Sequence, residues 1–138
     1  MTNLKPFSFH SIVLFLVTLA FLSPAATVSA HHNMSAVFDF NDRVTLTGTL
    51  TAIDWRNPHV EILMDAKREN GTVEKWKGEG PNPGFFRNRD INKSDFEKNI
   101  GAKIIIEVSR ARDGSTWGLL RTVTMPDGKV IPLCPENC

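Results

Sequence analysis

The sequence predicts an all-β domain, an OB-fold-like five-stranded Greek-key barrel with a short helical insert. Polar and apolar residues alternate in five segments that are separated by turn signals. The long segment without this alternation, residues 80–101, lies between the third and fourth strands, where an OB-type barrel carries its helix. A small open β-sandwich fits the same strand pattern and is the alternative; the position of the insert favours the barrel.

The first predicted strand covers Arg43–Arg56 and has a period of two residues. Its even positions up to 50 are apolar or glycine, and the odd positions from 45 to 51 are threonine. Gly48, in the middle, indicates a bulge or bend. Pro58 fixes its own φ and holds Asn57 in an extended or turn conformation, so Asn57-Pro58 ends the strand.

The second predicted strand is His59–Lys67, with Val60, Ile62 and Met64 on one side. Residues 69–71 (Glu-Asn-Gly) predict a hairpin turn, because Asn-Gly tolerates the positive φ that such turns need. The chain then returns as a third strand over Thr72–Gly80, which carries Val73 and Trp76.

The insert, Gly80–Gly101, predicts a short helix over Pro83–Arg89 and a second helical turn over Ser94–Asn99. Ser94, with Glu97 three residues later, resembles a capping box. Gly101 is a typical residue after such a turn.

The remaining strands are predicted over Lys103–Arg110 and Trp117–Met125, followed by a short segment at Lys129–Leu133. Asp113-Gly114 and Asp127-Gly128 are the turn signals between them.

The first 30 residues have the pattern of a secretory signal peptide. Lys5 precedes the apolar run Ile12–Leu22, and Val28 and Ala30 occupy the −3 and −1 positions of a cleavage site. The run is shorter than the about 20 residues of a membrane-spanning helix. We therefore expect residues 1–30 to be a cleaved signal, residues 31–138 to be one domain, and the protein to be periplasmic, without a membrane span; a retained N-terminal anchor is the alternative.

The mature chain has no excess of either charge, because all 15 acidic residues remain and only Lys5 of the 16 basic ones is lost. Nucleic-acid binding needs a basic face and is not expected. Cys134 and Cys138 are the two cysteines, and in an oxidising compartment they are expected to form a disulfide. A thiolate metal site is the alternative reading of this pair.

The candidate metal ligands are His31, His32 and His59, the histidines of the predicted mature chain. Cu(II) and Zn(II) favour imidazole and amine nitrogen, and an N-terminal histidine offers both. His59, from the folded body, would complete such a site for copper, and Met34 is a candidate sulfur ligand. The alternative readings are a flexible paired-histidine tail and a His59 that fixes the turn by hydrogen bonding.

Trp55, Trp76 and Trp117 lie on three predicted strands. An exposed aromatic β face containing Trp55 and Trp76 would stack on sugars or other ligands, whereas buried tryptophans would fill the core. The sequence has no nucleophile elbow, phosphate-binding glycine loop or H-E-x-x-H motif, so we do not expect an enzyme. A copper oxidase is the one enzymatic alternative.

Several of these pieces together resemble DUF6152, a family of small exported bacterial proteins of unknown function. The most specific piece is Trp55–Val60 (Trp-Arg-Asn-Pro-His-Val). The others are the histidine pair, the Gly48 and Trp76 strands, Gly80-Pro81-Asn82, the turn at Arg112-Asp113-Gly114 and Met125–Gly128. The resemblance implies export and one compact β domain, and implies no activity. Cys134 and Cys138 lie beyond the resemblance.

The sequence therefore predicts an exported, non-enzymatic binding domain whose N-terminal histidines handle a transition metal such as copper. The alternative is a protein- or glycan-interaction module that uses the aromatic β face. The partner, a periplasmic protein or a small ligand, is not identified by the sequence.

Overall fold

The protein is described here by a computed structural model over residues 34–68 and 70–134. Six strands dominate it: β1 (Phe38–Trp55), β2 (Val60–Lys67), β3 (Val73–Glu79), β4 (Lys103–Ala111), β5 (Trp117–Thr124) and β6 (Val130–Pro132). Three short helices accompany them: α1 (Met34–Val37), α2 (Pro83–Arg87) and α3 (Lys93–Glu97). The prediction of a mostly β chain with short helices is confirmed, and the predicted signal peptide lies outside the described residues.

The strands form one sheet in the order β3-β2-β1-β4-β5-β6, in which neighbours run antiparallel. An additional parallel pairing joins β3 to β5, with Lys77 opposite Trp117 and Glu79 opposite Leu119. This pairing links the first strand of the series, β3, to the last but one, β5, so β1, β2, β3, β5 and β4 form a five-strand ring and β6 lies outside it. Val60, Ile62, Met64 and Ala66 of β2 point into the ring and are buried, whereas Leu63 is on the opposite, exposed face.

The contact between β3 and β5 depends on two glycines that lie opposite each other, Gly78 and Gly118. A Cβ on Gly78 would come within 2.6 Å of the Leu120 side chain, and one on Gly118 would come within 2.7 Å of Val108. The absence of side chains at both positions lets Leu120 and Val108 fill the space inside the ring.

β1 begins at Phe38, five residues before the sequence-based boundary. Phe38 pairs with Ala111, and the register shifts between Phe38 and Arg43. The irregularity interrupts the alternation of polar and apolar residues, which is why the pattern did not reveal this part of the strand.

The two helical turns between β3 and β4 have asparagine caps. The Asn82 side chain accepts a hydrogen bond from the Phe85 N–H at 3.0 Å, and Asp95 accepts one from the Asn92 N–H at 2.9 Å. The hydrogen bond from Asn92 lowers the pKa of Asp95. The prediction of a cap at Ser94 with Glu97 is wrong by two residues, because Asn92 is the extended residue that precedes α3.

Two apolar clusters lie on opposite sides of the sheet. The main core fills the ring and includes Leu50, Ile62, Phe86 and Leu120. A smaller outer cluster consists of Phe38, Ala111 and Leu119, against which Met34, Val37, Phe40 and Trp117 pack. Within residues 34–68 and 70–134, no helix is long and apolar enough to cross a membrane.

A buried arginine ties Cys134, the last residue that the structure describes, to the outer side of the sheet. Arg121 is 1% exposed, and its guanidinium donates to the Ser109 hydroxyl at 2.8 Å and to the Cys134 carbonyl at 3.2 Å. Phe40 covers the guanidinium at 4.9 Å from the ring centroid. Burial lowers the pKa of Arg121. Cys138 lies outside the described residues, so the expected disulfide with Cys134 stays a prediction.

We expect Gly48→Ala to lower the free energy of unfolding by about 2 kcal/mol, because a Cβ there would overlap the Asp65 carbonyl oxygen and the Met64 methyl group. Urea unfolding of the two proteins measures the difference. Thr49→Ala, at the next and exposed position of β1, is the control and should change the stability by less than about 0.5 kcal/mol. Equal losses in the two variants would contradict the close approach of β1 and β2.

Candidate functional site

The most specific sequence motif, Trp55–Val60, forms the connection from β1 to β2. Its last residue is hydrogen bonded through both backbone groups to the segment that follows β3. The Val60 N–H donates to the Pro81 carbonyl at 3.0 Å, and the Val60 carbonyl accepts from the Gly80 N–H at 2.8 Å. Two motifs that are 20 residues apart in the sequence therefore lie side by side.

Trp55 holds the connection against the helices. Its ring lies 4.9 Å from the Phe86 ring and 6.0 Å from the Phe96 ring, measured between centroids. The two phenylalanines, from α2 and α3, are fully buried and contact each other edge-on. This aromatic packing fixes the end of β1 and thereby the position of the loop that contains His59.

His59 is oriented by a hydrogen bond to the backbone. Its Nδ1 lies 3.1 Å from the Gly80 carbonyl oxygen. A carbonyl oxygen can only accept, so Nδ1 carries the proton, and in the neutral ring Nε2 is then the atom with a free lone pair. Nε2 lies 3.6 Å from Oε1 of Glu79.

Glu79 is the buried partner in this arrangement. Its side chain is 11% exposed, against 31% for His59. A carboxylate oxygen and the unprotonated Nε2 of an imidazole both offer electron pairs, so the two atoms could together bind one cation. With metal–ligand distances of about 2.0–2.2 Å, a separation of 3.6 Å corresponds to one ion bound by both atoms at an angle of about 120°.

Residues 19–121 match a family of unknown function, DUF6152. The chain belongs to this family. No curated protein and no solved structure gives a significant match. The His59–Glu79 pair, the Trp55–Val60 motif and Gly80-Pro81-Asn82 all lie inside the part that matches DUF6152.

The other predicted metal ligands of this DUF6152 protein are not brought to His59 by the described structure. His31 and His32 lie outside the described residues. Met34 is in α1 and packs against the outer apolar cluster. In the part of the chain that the structure describes, no three or more His, Cys, Asp or Glu side chains form a group that could hold a metal ion.

The tryptophans of the DUF6152 domain are packed inside the fold or against its outer cluster. Trp55 pairs with Val60 and Trp76 with Met64, so both point to the inner face of the ring. Trp76 is 6% exposed and donates its indole N–H to Glu74 at 3.2 Å. An interaction face of the kind expected from Trp55 and Trp76 would have to be reached from the inner side of the sheet.

Glu79 is the site residue that the sequence reasoning missed. Alternation along β3 indicates that it points away from Trp76, but it does not indicate which side chain it meets there. The one local signal is the position of an acidic residue directly before Gly80-Pro81, at the end of a strand.

We expect His59→Ala to lower the free energy of unfolding of the metal-free protein by about 1 kcal/mol, because the Gly80 carbonyl loses its donor. Thermal unfolding in the presence of a chelator measures the loss. His59→Asn keeps an N–H near the position of Nδ1 and should recover most of the stability. If Asn and Ala are equally destabilising, the hydrogen bond to Gly80 is not what His59 contributes.

Proposed function

We propose that this DUF6152 protein is an exported, non-enzymatic domain that binds a transition-metal ion through Nε2 of His59 and Oε1 of Glu79. The observation that carries the proposal is their separation of 3.6 Å, combined with the hydrogen bond that engages Nδ1 of His59. Metal-binding histidines usually donate their other ring N–H to a carbonyl or carboxylate, which fixes the tautomer and the ring orientation.

Two protein ligands leave an ion such as Cu(II) or Zn(II) incompletely coordinated. His31 and His32, and the α-amine that cleavage after Ala30 would create, are the further candidate ligands that the sequence offers. Nitrogen ligands of this kind suit copper and zinc better than calcium or magnesium. The protein would then act as a carrier or a scavenger of such an ion in the periplasm.

Protons compete with the metal at this site. Binding requires an unprotonated Nε2 and an ionised Glu79, so acidification should weaken the affinity and metal binding should release protons.

We also propose that the five-strand ring is an OB-type Greek-key barrel. The supporting observations are the parallel contact of β3 with β5 and the two helices between β3 and β4. In such barrels the loop between the first two strands is one of the ligand-binding loops. That loop is the one that contains His59.

The test is calorimetric titration of the exported protein with Zn(II) and Cu(II). We expect Glu79→Gln to weaken the affinity by about tenfold or more, because the amide has the same shape and no negative charge. Glu61→Gln is the matched control: Glu61 lies opposite Glu79 in the sheet and its carboxylate accepts from Lys77 at 3.2 Å. The control should bind metal as the native protein does.

The double variant His31→Ala, His32→Ala separates the proposed site from simple binding by the tail. The proposal requires a loss of affinity in Glu79→Gln. Metal binding that depends on the two tail histidines and is unchanged by Glu79→Gln would contradict it.

Export is tested separately by intact mass of the protein recovered from the periplasm of its host. We expect a chain that begins at His31, because Val28 and Ala30 provide the small or aliphatic residues that signal cleavage needs. A mass that still includes residues 1–30 would show that the segment is retained.

A further inference from the structure

β1 and β2 separate from each other at the end of the molecule away from His59. Their pairing stops at Gly48 opposite Ala66. β1 nevertheless continues to Phe38, paired there with β4 alone. A cleft opens between the first half of β1 and the hairpin of β2 and β3.

One backbone edge of β1 faces this cleft. The N–H of Leu50 donates to the Ala102 carbonyl and its C=O accepts from the Gly101 N–H, so Leu50 faces the β4 side. Successive residues of a strand point their backbone N–H and C=O groups to alternate edges. The backbone groups of Thr45 and Thr47 therefore point to the edge away from β4. In the described part of the chain, β2 pairs with that edge from Gly48 onward, and no strand is paired with it beside Thr45 and Thr47.

The floor of the cleft is apolar. The cleft has a volume of about 640 Å³, and its floor is formed by Val44, Leu46, Ala66 and Trp76. These residues all point to the inner face of the ring, so a chain that entered the cleft would place every second side chain on them. This is where an inward-facing tryptophan can meet a ligand.

The rim of the cleft is basic. Lys67, Arg68 and Arg110 line it, with Glu74 as the acidic residue, and Glu74 already accepts from Arg68 at 2.7 Å and from Trp76. An adjoining hollow of about 310 Å³ shares Arg68, Glu74 and Arg110 and adds one cation and two anions: Arg112, Asp39 and Asp42. Over the cleft and this hollow, four cations face three anions, and Arg110 and Arg112 are ion-paired with Asp42 at 2.9 Å and with Asp39 at 3.2 Å. The net positive charge is therefore small, and it is carried by Lys67 at the point where β1 and β2 separate.

We propose that this cleft binds an extended, acidic segment of a partner protein, which adds a strand to β1 beside Thr45 and Thr47. The free backbone edge would pair with the added strand, the apolar floor would receive alternate side chains, and the basic rim would attract the acidic residues. The cleft and the metal pair lie at opposite ends of β2, about 23 Å apart along the strand. The two proposals can therefore fail independently.

The probe is an acetylated hexapeptide of alternating glutamate and valine, titrated into the full chain and followed by backbone amide NMR. We expect the largest shifts at the amides of Thr45 and Thr47. The same peptide with methylated backbone nitrogens on alternate residues should bind about tenfold more weakly or worse, because it cannot complete the strand pairing. A hexapeptide of alternating lysine and valine should lose a comparable amount of affinity, because its positive charges are repelled by those of the rim.

Lys67→Glu tests the rim on the protein side, because Lys67 lines the cleft, with Arg87→Glu on α2 as the charge-matched control. We expect a loss of about tenfold for the first and no change for the second. Both positions are exposed, so both variants should fold.

A polyanionic glycan is the competing ligand for a basic rim, and tetragalacturonate is the probe for it. Binding of tetragalacturonate in place of the hexapeptide would overturn the proposal. Equal binding of the methylated and unmethylated peptides would also overturn it, as would titration shifts that leave Thr45 and Thr47 unaffected.

Discussion

β3 and β5 run side by side in the same direction, and the two residues at the centre of this contact, Gly78 and Gly118, have no side chains. Their backbones can therefore approach while Leu120 and Val108 fill the interior. The other strand pairs involve neighbours in an antiparallel series, which by itself would leave an open sheet. The parallel contact converts that series into a ring, and the main core is the interior of the ring.

The position of the candidate metal pair follows from the same contact. Glu79 is the last residue of β3 and lies opposite Leu119 of β5, so the ring fixes its place. His59 is brought to it from the other side by the Val60 hydrogen bonds and by Trp55 packed on α2 and α3. β2 runs from this end of the ring to the cleft at the other end. The strand begins directly after His59 and ends with Ala66 and Lys67, which line the cleft.

The parts of the fold that the sequence predicted are those that depend on local patterns. The five strands and the helical insert follow from alternation and turn residues within each segment. The start of β1 was missed because a bulge interrupts its alternation, and the cap of α3 was misplaced because Asn92 and Ser94 are both acceptable cap residues. The pairing of His59 with Glu79 depends on the register between β2 and β3 and on the path of Pro81, which no local pattern contains. His59 was recognisable from its residue type and motif, whereas its partner was not.

The three tryptophans also make the fold observable. The chain has no tyrosine, so its near-ultraviolet absorption comes mainly from these three rings. Trp55 packs on Phe86 of the helices, Trp76 lies in the floor of the cleft, and Trp117 packs against Phe38 in the outer cluster. Near-ultraviolet circular dichroism depends on such fixed aromatic packing. If each tryptophan is replaced in turn, the spectra distinguish changes in packing at α2 and α3, in the cleft and in the outer cluster, without any added label.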